Sequence, residues 1–292
     1  MNTQSNKAGK RGFTLIELLV VMGIIALLLA ILLPALGRAR ATAKQVKDST
    51  QIQQVHKGFL TLATSGAADS RGLLPTPGLV DRVGTIPGKG AEDQTMNSHA
   101  NLYSHCIMQG AFDTGVLVCP AEVSTNVLTL ANYNFDAYNV AAAVDQYWDP
   151  NFRADLTAIC NTSYGTTQLS GPRKAKEWRD TYNSRFVVLG NRGVQNGSLA
   201  ANVYNSSKTL QIHGGAKQWF GNLCFNDNHV TYEDKFQPTG IQQFSVGNQL
   251  IDDNVFLDDT TTAGATVADS WLTVCRDVTG GGSTYTFNIT WD

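Results

Sequence analysis

Residues 13–36 form a run of 24 positions with one ionisable side chain, Glu17. No other feature restricts the fold of the chain as strongly. At about 1.5 Å per residue, a helix of that length spans a bilayer core of about 30 Å. From position 18 to 33 every residue is apolar or glycine. The twelve residues ahead of the run carry Lys7, Lys10 and Arg11 and no acidic residue. That charge bias marks a flank kept on the cytoplasmic side of a membrane.

Three kinds of segment share this layout. A secretory signal peptide would be cut near Ala39-Arg40-Ala41 and lost. A plain anchor would stay uncut. A third kind is cut after Gly12 on the cytoplasmic side and keeps its apolar run. Glu17 separates them, because a carboxylate at the mouth of an apolar segment is costly in lipid. A disposable peptide or a plain anchor gains nothing from it, whereas a subunit that pairs inside the membrane does. Arg40 beside the small-residue site also disfavours the secretory route.

The run Gly12-Phe13-Thr14-Leu15-Ile16-Glu17-Leu18-Leu19-Val20-Val21 resembles the processing signal of type IV pilins and type II secretion pseudopilins. The resemblance implies cleavage by prepilin peptidase between Gly12 and Phe13, followed by N-methylation of Phe13. Glu17 then holds the place of the family's glutamate, fifth in the mature chain, and Pro34 matches its proline near the end of the membrane segment. It further implies a single-pass protein of the bacterial inner membrane, with its N-terminus in the cytoplasm and its head in the periplasm or outside the cell. The implied partners are other pilin-like subunits, prepilin peptidase, an inner-membrane assembly platform driven by a cytoplasmic ATPase, and membrane lipid. Cleavage would leave a positive amine on Phe13, one helical turn from Glu17. In a filament, a neighbour's amine could satisfy the carboxylate that a lone subunit leaves near lipid.

Beyond Leu36 the pattern becomes amphipathic. Ala39, Ala43, Val46, Ile52, Val55, Phe59 and Leu62 fall on one helical face, while Arg38, Arg40, Lys44, Lys47 and Asp48 occupy the other. One helix is expected from about Thr14 to about Ala63, ending near Thr64-Ser65-Gly66. Pro34 should kink or locally melt it. The chain thus divides into a leader (1–12), a transmembrane and assembly helix (13–36), its amphipathic continuation (37–65), a Gly/Pro-rich connection (66–100) and a β-rich head (101–292).

Short β-prone runs dominate the head: 115–119, 132–138, 186–189, 223–225, 229–232 and 285–291. Helical periodicity is confined to 141–147 and 173–182. The expected class is α+β, with an antiparallel sheet packed on the exposed half of the long helix. Cys119-Pro120-Ala121-Glu122, His213-Gly214-Gly215 and the segment 222–230 are similar to elements in the heads of large pseudopilin-like proteins. There the last segment is a strand, a turn and a strand ending in Asp-Gly-His-Val. Here Asn228 replaces the glycine, a residue that also accepts a left-handed turn. The likeness implies a fold element.

The chemistry of the head is sparse. Five cysteines, Cys106, Cys119, Cys160, Cys224 and Cys275, in an exported domain suggest one or two disulfides of open connectivity. HExxH, GxSxG, P-loop and dinucleotide fingerprints are missing, and no enzymatic activity is expected. The His213 and His229 region is a candidate metal site, although structural histidines are the commoner case. Asp252, Asp253, Asp258 and Asp259 are hard oxygen ligands at short spacing, which suits calcium; the major pseudopilin of the resembled family binds calcium in a C-terminal loop. A net charge of −2 and the lack of a basic patch interleaved with aromatic residues argue against a nucleic-acid partner. A second reading is a membrane-anchored binding domain for a glycan or polymer that does not polymerise. Exposure of two or more of Trp148, Trp178, Trp219 and Trp271 in one groove would favour it.

Overall fold

Helix α1 (Leu15–Ser65) is continuous through Pro34 in the computed structural model, which describes residues 12–65, 72–84, 89–138, 147–241, 243–246, 249–257, 271–282 and 284–292. The proline removes one backbone donor, yet the helix does not melt there as expected but runs on to Ser65. The chain divides into two compact units, Met1–Ala43 and Lys44–Asp292.

Within the second unit, the α1 face that enters the core carries Asp48, Ile52, Val55, Phe59 and Leu62. Four of these are the expected apolar stripe. Asp48 is not: the charge pattern assigns it to the polar face, whereas it is completely buried. Val46, assigned to the apolar face, is 56% exposed. The spacing 48, 52, 55, 59, 62 is regular for one helical face, so Asp48 takes an apolar position and must find polar partners there.

The remaining helices are short: α2 (Pro77–Val80), α3 (His99–Met108), α4 (Gly171–Glu177), α5 (Ala201–Tyr204) and α6 (Leu210–His213). Helix α3 lies partly in the stretch read as a connection. Ser98 caps it by accepting from the Asn101 N–H at 3.2 Å. It escapes periodicity reading because polar His99, Ser104 and His105 lie on its buried side.

The central sheet is antiparallel, in the order β3 (Tyr164–Thr166), β4 (Val187–Asn191), β5 (Gly221–Phe225), β6 (Val230–Glu233). Three two-stranded ribbons accompany it: β1 (Arg82–Val83) with β2 (Ala91–Glu92), β7 (Gln243–Val246) with β8 (Gln249–Asp252), and β9 (Cys275–Gly281) with β10 (Thr284–Ile289). Every residue of β4 and β5 is buried, which is why both read as near-continuous apolar runs. The expected strands at 186–189, 223–225, 229–232 and 285–291 therefore appear, and the class is α+β.

Two expected strands do not form. Residues 114–117 are a 3₁₀ turn because the Asp113 carboxylate accepts from the Gly115 N–H at 3.1 Å. Residues 135–137 are another, with Asn134 Oδ1 accepting from the Asp136 N–H at 3.1 Å. Such side-chain-to-backbone bonds compete with strand pairing and win locally. Most of the helix expected at 141–147 lies outside the described residues, and the one expected at 173–182 is the shorter α4.

The core is aromatic around α1. Phe59 lies 5.8 Å from Trp178 and 6.3 Å from Tyr103, measured between ring centroids. Disulfides do not form: all five cysteines are free and buried. Their sulphurs serve local contacts instead. Cys160 reaches the Thr162 carbonyl at 3.1 Å, and Cys275 that of Asp277 at 3.4 Å. Burial pushes both thiols up to about 12.

Candidate functional site

Gly12, Phe13 and Thr14 precede the first helical turn, and Gly12 and Phe13 are exposed. The Gly12–Phe13 bond therefore lies outside the helix. Thr14 and Glu17 close a reciprocal cap on α1. The Thr14 N–H and hydroxyl each donate to Glu17 Oε2 at 2.9 Å, and the Glu17 N–H donates back to Thr14 Oγ1 at 3.3 Å. This Thr-x-x-Glu arrangement satisfies two helix-terminal donors and places negative charge at the positive end of the dipole. Glu17 thus has hydrogen-bond partners within its own chain, which the charge pattern alone does not show. The signal for it is the Thr-x-x-Glu spacing of Thr14 and Glu17 at the head of an apolar run.

The large apolar side chains from Leu15 to Leu36 are 45–79% exposed. The apolar window of α1 is long enough to cross a membrane, and none of it is buried within the chain. Exposed apolar surface of this extent marks an interaction with lipid or with other protein. The single apolar helix fits a membrane anchor.

In the head, Asp48 gathers a polar cluster. Its Oδ1 accepts from the Tyr164 hydroxyl at 2.8 Å; its Oδ2 accepts from Asn222 Nδ2 at 2.7 Å and lies 3.2 Å from His213 Nε2. Cys119 Sγ lies 3.8 Å from the same His213 nitrogen. Burial favours protonation of Asp48, but hydrogen bonds from His213, Cys119 and Asn222 outweigh it and hold the carboxyl below the usual range. Asp48, Cys119 and His213 each present one potential metal-ligating atom, all within 4.8 Å of one another. Gly214 seats His213, because a Cβ there would fall 1.6 Å from the Gln218 carbonyl oxygen.

The Cys119-Pro120-Ala121-Glu122 element is held at both ends. Glu122 makes a two-pronged ion pair with Arg192 at 2.5 and 2.8 Å, and Arg192 also reaches Asp292 at 2.7 Å. The β5–β6 turn adopts the expected conformation, with Asn228 at φ +69°. Its side chain does more than permit the turn: Asn228 Oδ1 lies 3.1 Å from His56 Nδ1 on α1. Asp48, Arg192 and Asn222 were not singled out by sequence as site residues.

The remaining candidates are placed as follows. His229 is outside the Asp48 cluster; it pairs with Asp227 at 2.5 Å and stacks on Phe225. Asp253 is buried, paired with Arg173 at 2.5 Å and bonded by the Trp271 indole N–H. Asp252 accepts from Gln243 at 2.7 Å. Asp258 and Asp259 lie outside the described residues. Trp178, Trp219 and Trp271 are each 1% exposed and serve as core; Trp148 is half-buried and borders a different cavity from the one that Trp178 edges.

An exposed, capped apolar helix joined to an α+β head defines a membrane-anchored protein with a type IV pilin-like N-terminal signal. Residues 7–33 match the family model of the prokaryotic N-terminal methylation motif. The match covers the basic flank, Gly12, Phe13, Glu17 and most of the apolar run. No solved structure matches the chain.

Proposed function

We propose that this chain is a pilin-like structural subunit. Prepilin peptidase cuts it after Gly12 and methylates Phe13, and the apolar half of α1 then packs with other subunits in a type II secretion pseudopilus or type IV pilus-like filament. The observation that carries this reading is the apolar run from Leu15 to Leu36, which is exposed among the described residues and lies largely within the span 7–33 that matches the methylation motif. Lipid can cover such a helix before assembly and neighbouring helices after it. The burial of Trp178, Trp219 and Trp271 in the core supports this reading over a glycan-binding head. The reading assigns the chain no enzymatic activity, no nucleic-acid partner and a head in the periplasm or outside the cell.

The test is co-expression with prepilin peptidase and an assembly platform, followed by intact-mass analysis of the membrane and sheared-filament fractions. The expected product lacks residues 1–12, carries one added methyl group and pellets with filaments. Removal of about 40 residues, as by a secretory peptidase, would overturn the reading. A processed chain that stays in the membrane as a monomer would favour the non-polymerising anchor.

A further inference from the structure

The geometry points to a zinc site inside the head, formed by Asp48 Oδ2, Cys119 Sγ and His213 Nε2. It stands apart from the assembly reading and does not depend on it.

Zinc sits about 2.3 Å from thiolate sulphur, about 2.0–2.1 Å from imidazole nitrogen and about 2.0–2.2 Å from carboxylate oxygen, usually in tetrahedral order. Those lengths put sulphur and nitrogen about 3.6 Å apart, and nitrogen and oxygen about 3.3 Å apart. The observed separations are 3.8 Å for Cys119 to His213 and 3.2 Å for His213 to Asp48. Two of the three separations thus lie within about 0.2 Å of those of a bound ion, and the third, Asp48 to Cys119, is no more than 4.8 Å. A hydrolytic triad does not fit, because there the acid and the nucleophile address opposite ring nitrogens. Here both converge on Nε2.

The surroundings are those of a ligand set. Ligating carboxylates are commonly steadied by outer hydrogen bonds, and Asp48 accepts from Tyr164 on one oxygen and Asn222 on the other. The Ala121 N–H points at Cys119 Sγ at 3.3 Å, a contact that stabilises a thiolate. One sulphur, one imidazole and one carboxylate make a borderline set that suits zinc and not calcium. Without an ion, burial and the adjacent Asp48 push the Cys119 thiol up, so binding must displace its proton. The Cys119 proton leaves on binding, the Nε2 lone pair of His213 must be freed for the ion, and affinity rises with pH. Three protein ligands leave a fourth position for water or an outside donor. The side chain of His213 is 3% exposed, and its ring packs edge-on against Tyr232, which is 45% exposed. The ion would tie α1, the Cys-Pro turn and the end of α6 at one point, across 94 and 165 residues of sequence.

The test uses the full chain in detergent, stripped with a chelator and titrated with Zn²⁺ or Co²⁺. We expect one zinc per chain by elemental analysis, a higher unfolding temperature with zinc, and a thiolate-to-metal charge-transfer band with cobalt. Cys119→Ser should abolish the band, and His213→Gln should remove stoichiometric binding. Asn222→Ala should weaken zinc about 10- to 100-fold, while His229→Gln leaves it unchanged. A wild-type chain with native circular dichroism that takes up no stoichiometric zinc or cobalt would overturn the site. Undiminished binding by Cys119→Ser or loss of binding in His229→Gln would do the same.

Discussion

Because Glu17 accepts two hydrogen bonds from Thr14 within its own chain, its effect on assembly has two separable parts. One is helix capping, which glutamine can also provide. The other is charge, which glutamine lacks. Glu17→Ala removes both and Glu17→Gln only the charge. If a neighbour's Phe13 amine is the partner in the filament, both variants should be cut normally and both should lose most of the sheared-filament yield. Wild-type filaments from Glu17→Gln alone would reduce the carboxylate to a cap. Asn228 makes a similar case in the head. Glycine would hold φ +69° more easily, but Asn228→Gly removes the acceptor beside buried His56. Leaving a buried polar group without its partner costs about 1–3 kcal/mol. We expect Asn228→Gly to lower the urea midpoint even though it relieves the turn; a raised midpoint would show that the His56 contact contributes nothing.

At the scale of elements, the outer half of α1 is the centrepiece of the head core. Phe59 is fully buried between Tyr103, Phe112 and Trp178, and Phe59→Ala should cost about 3–5 kcal/mol. Equilibrium denaturation should show it, and a loss under 1 kcal/mol would mean that the helix is not integral to the head. This stripe was legible because Ile52, Val55, Phe59 and Leu62 keep the helical period. So were β4, β5 and β10, whose apolar or alternating runs have one natural solution. Asp48 was not legible, because a charged residue on an amphipathic helix reads as solvent-facing until its partners are known. Those partners, Tyr164, His213 and Asn222, lie more than a hundred residues away, and no local pattern connects them. The 3₁₀ turns after Asp113 and Asn134 were missed for a different reason: a single side-chain acceptor there outweighs the β propensity of the residues that follow. The N-terminal motif and its apolar helix were legible, since their pattern is a contiguous run. The head cluster is assembled by the fold from three motifs that looked independent.

Taken as a whole, the head buries an unusual set of titratable groups, and this fixes its response to acid. Burial lowers His56, His99 and His105 from 6.5 to about 4. In the unfolded chain each would titrate near 6.5. Between about 6.5 and about 4 the unfolded state therefore binds more protons, and the native state loses stability as pH falls through that window. At the steepest point each histidine contributes up to about 1.4 kcal/mol per pH unit. Three acting together give roughly 4 kcal/mol per unit, against a total stability of about 5–15 kcal/mol for an ordinary domain. Asp48 and Glu122 act in a lower window. Their folded values are held below the usual carboxylate range, Asp48 by its hydrogen bonds and Glu122 chiefly by Arg192, both against burial. Their contribution is complete above about 4 and is lost as pH falls further. The head should therefore weaken steadily below pH 6.5 and unfold near pH 4, before most carboxylates have protonated. His105 offers the cleanest check, because its Nε2 is buried without a hydrogen-bond partner among the described residues. His105→Leu removes that group and should flatten the stability slope between pH 6.5 and 4 by about one third. Urea titrations of the full chain in detergent at half-unit pH steps measure both effects. A wild-type midpoint that stays level from pH 7 to 4 would show that these histidines become protonated inside the fold without opposition.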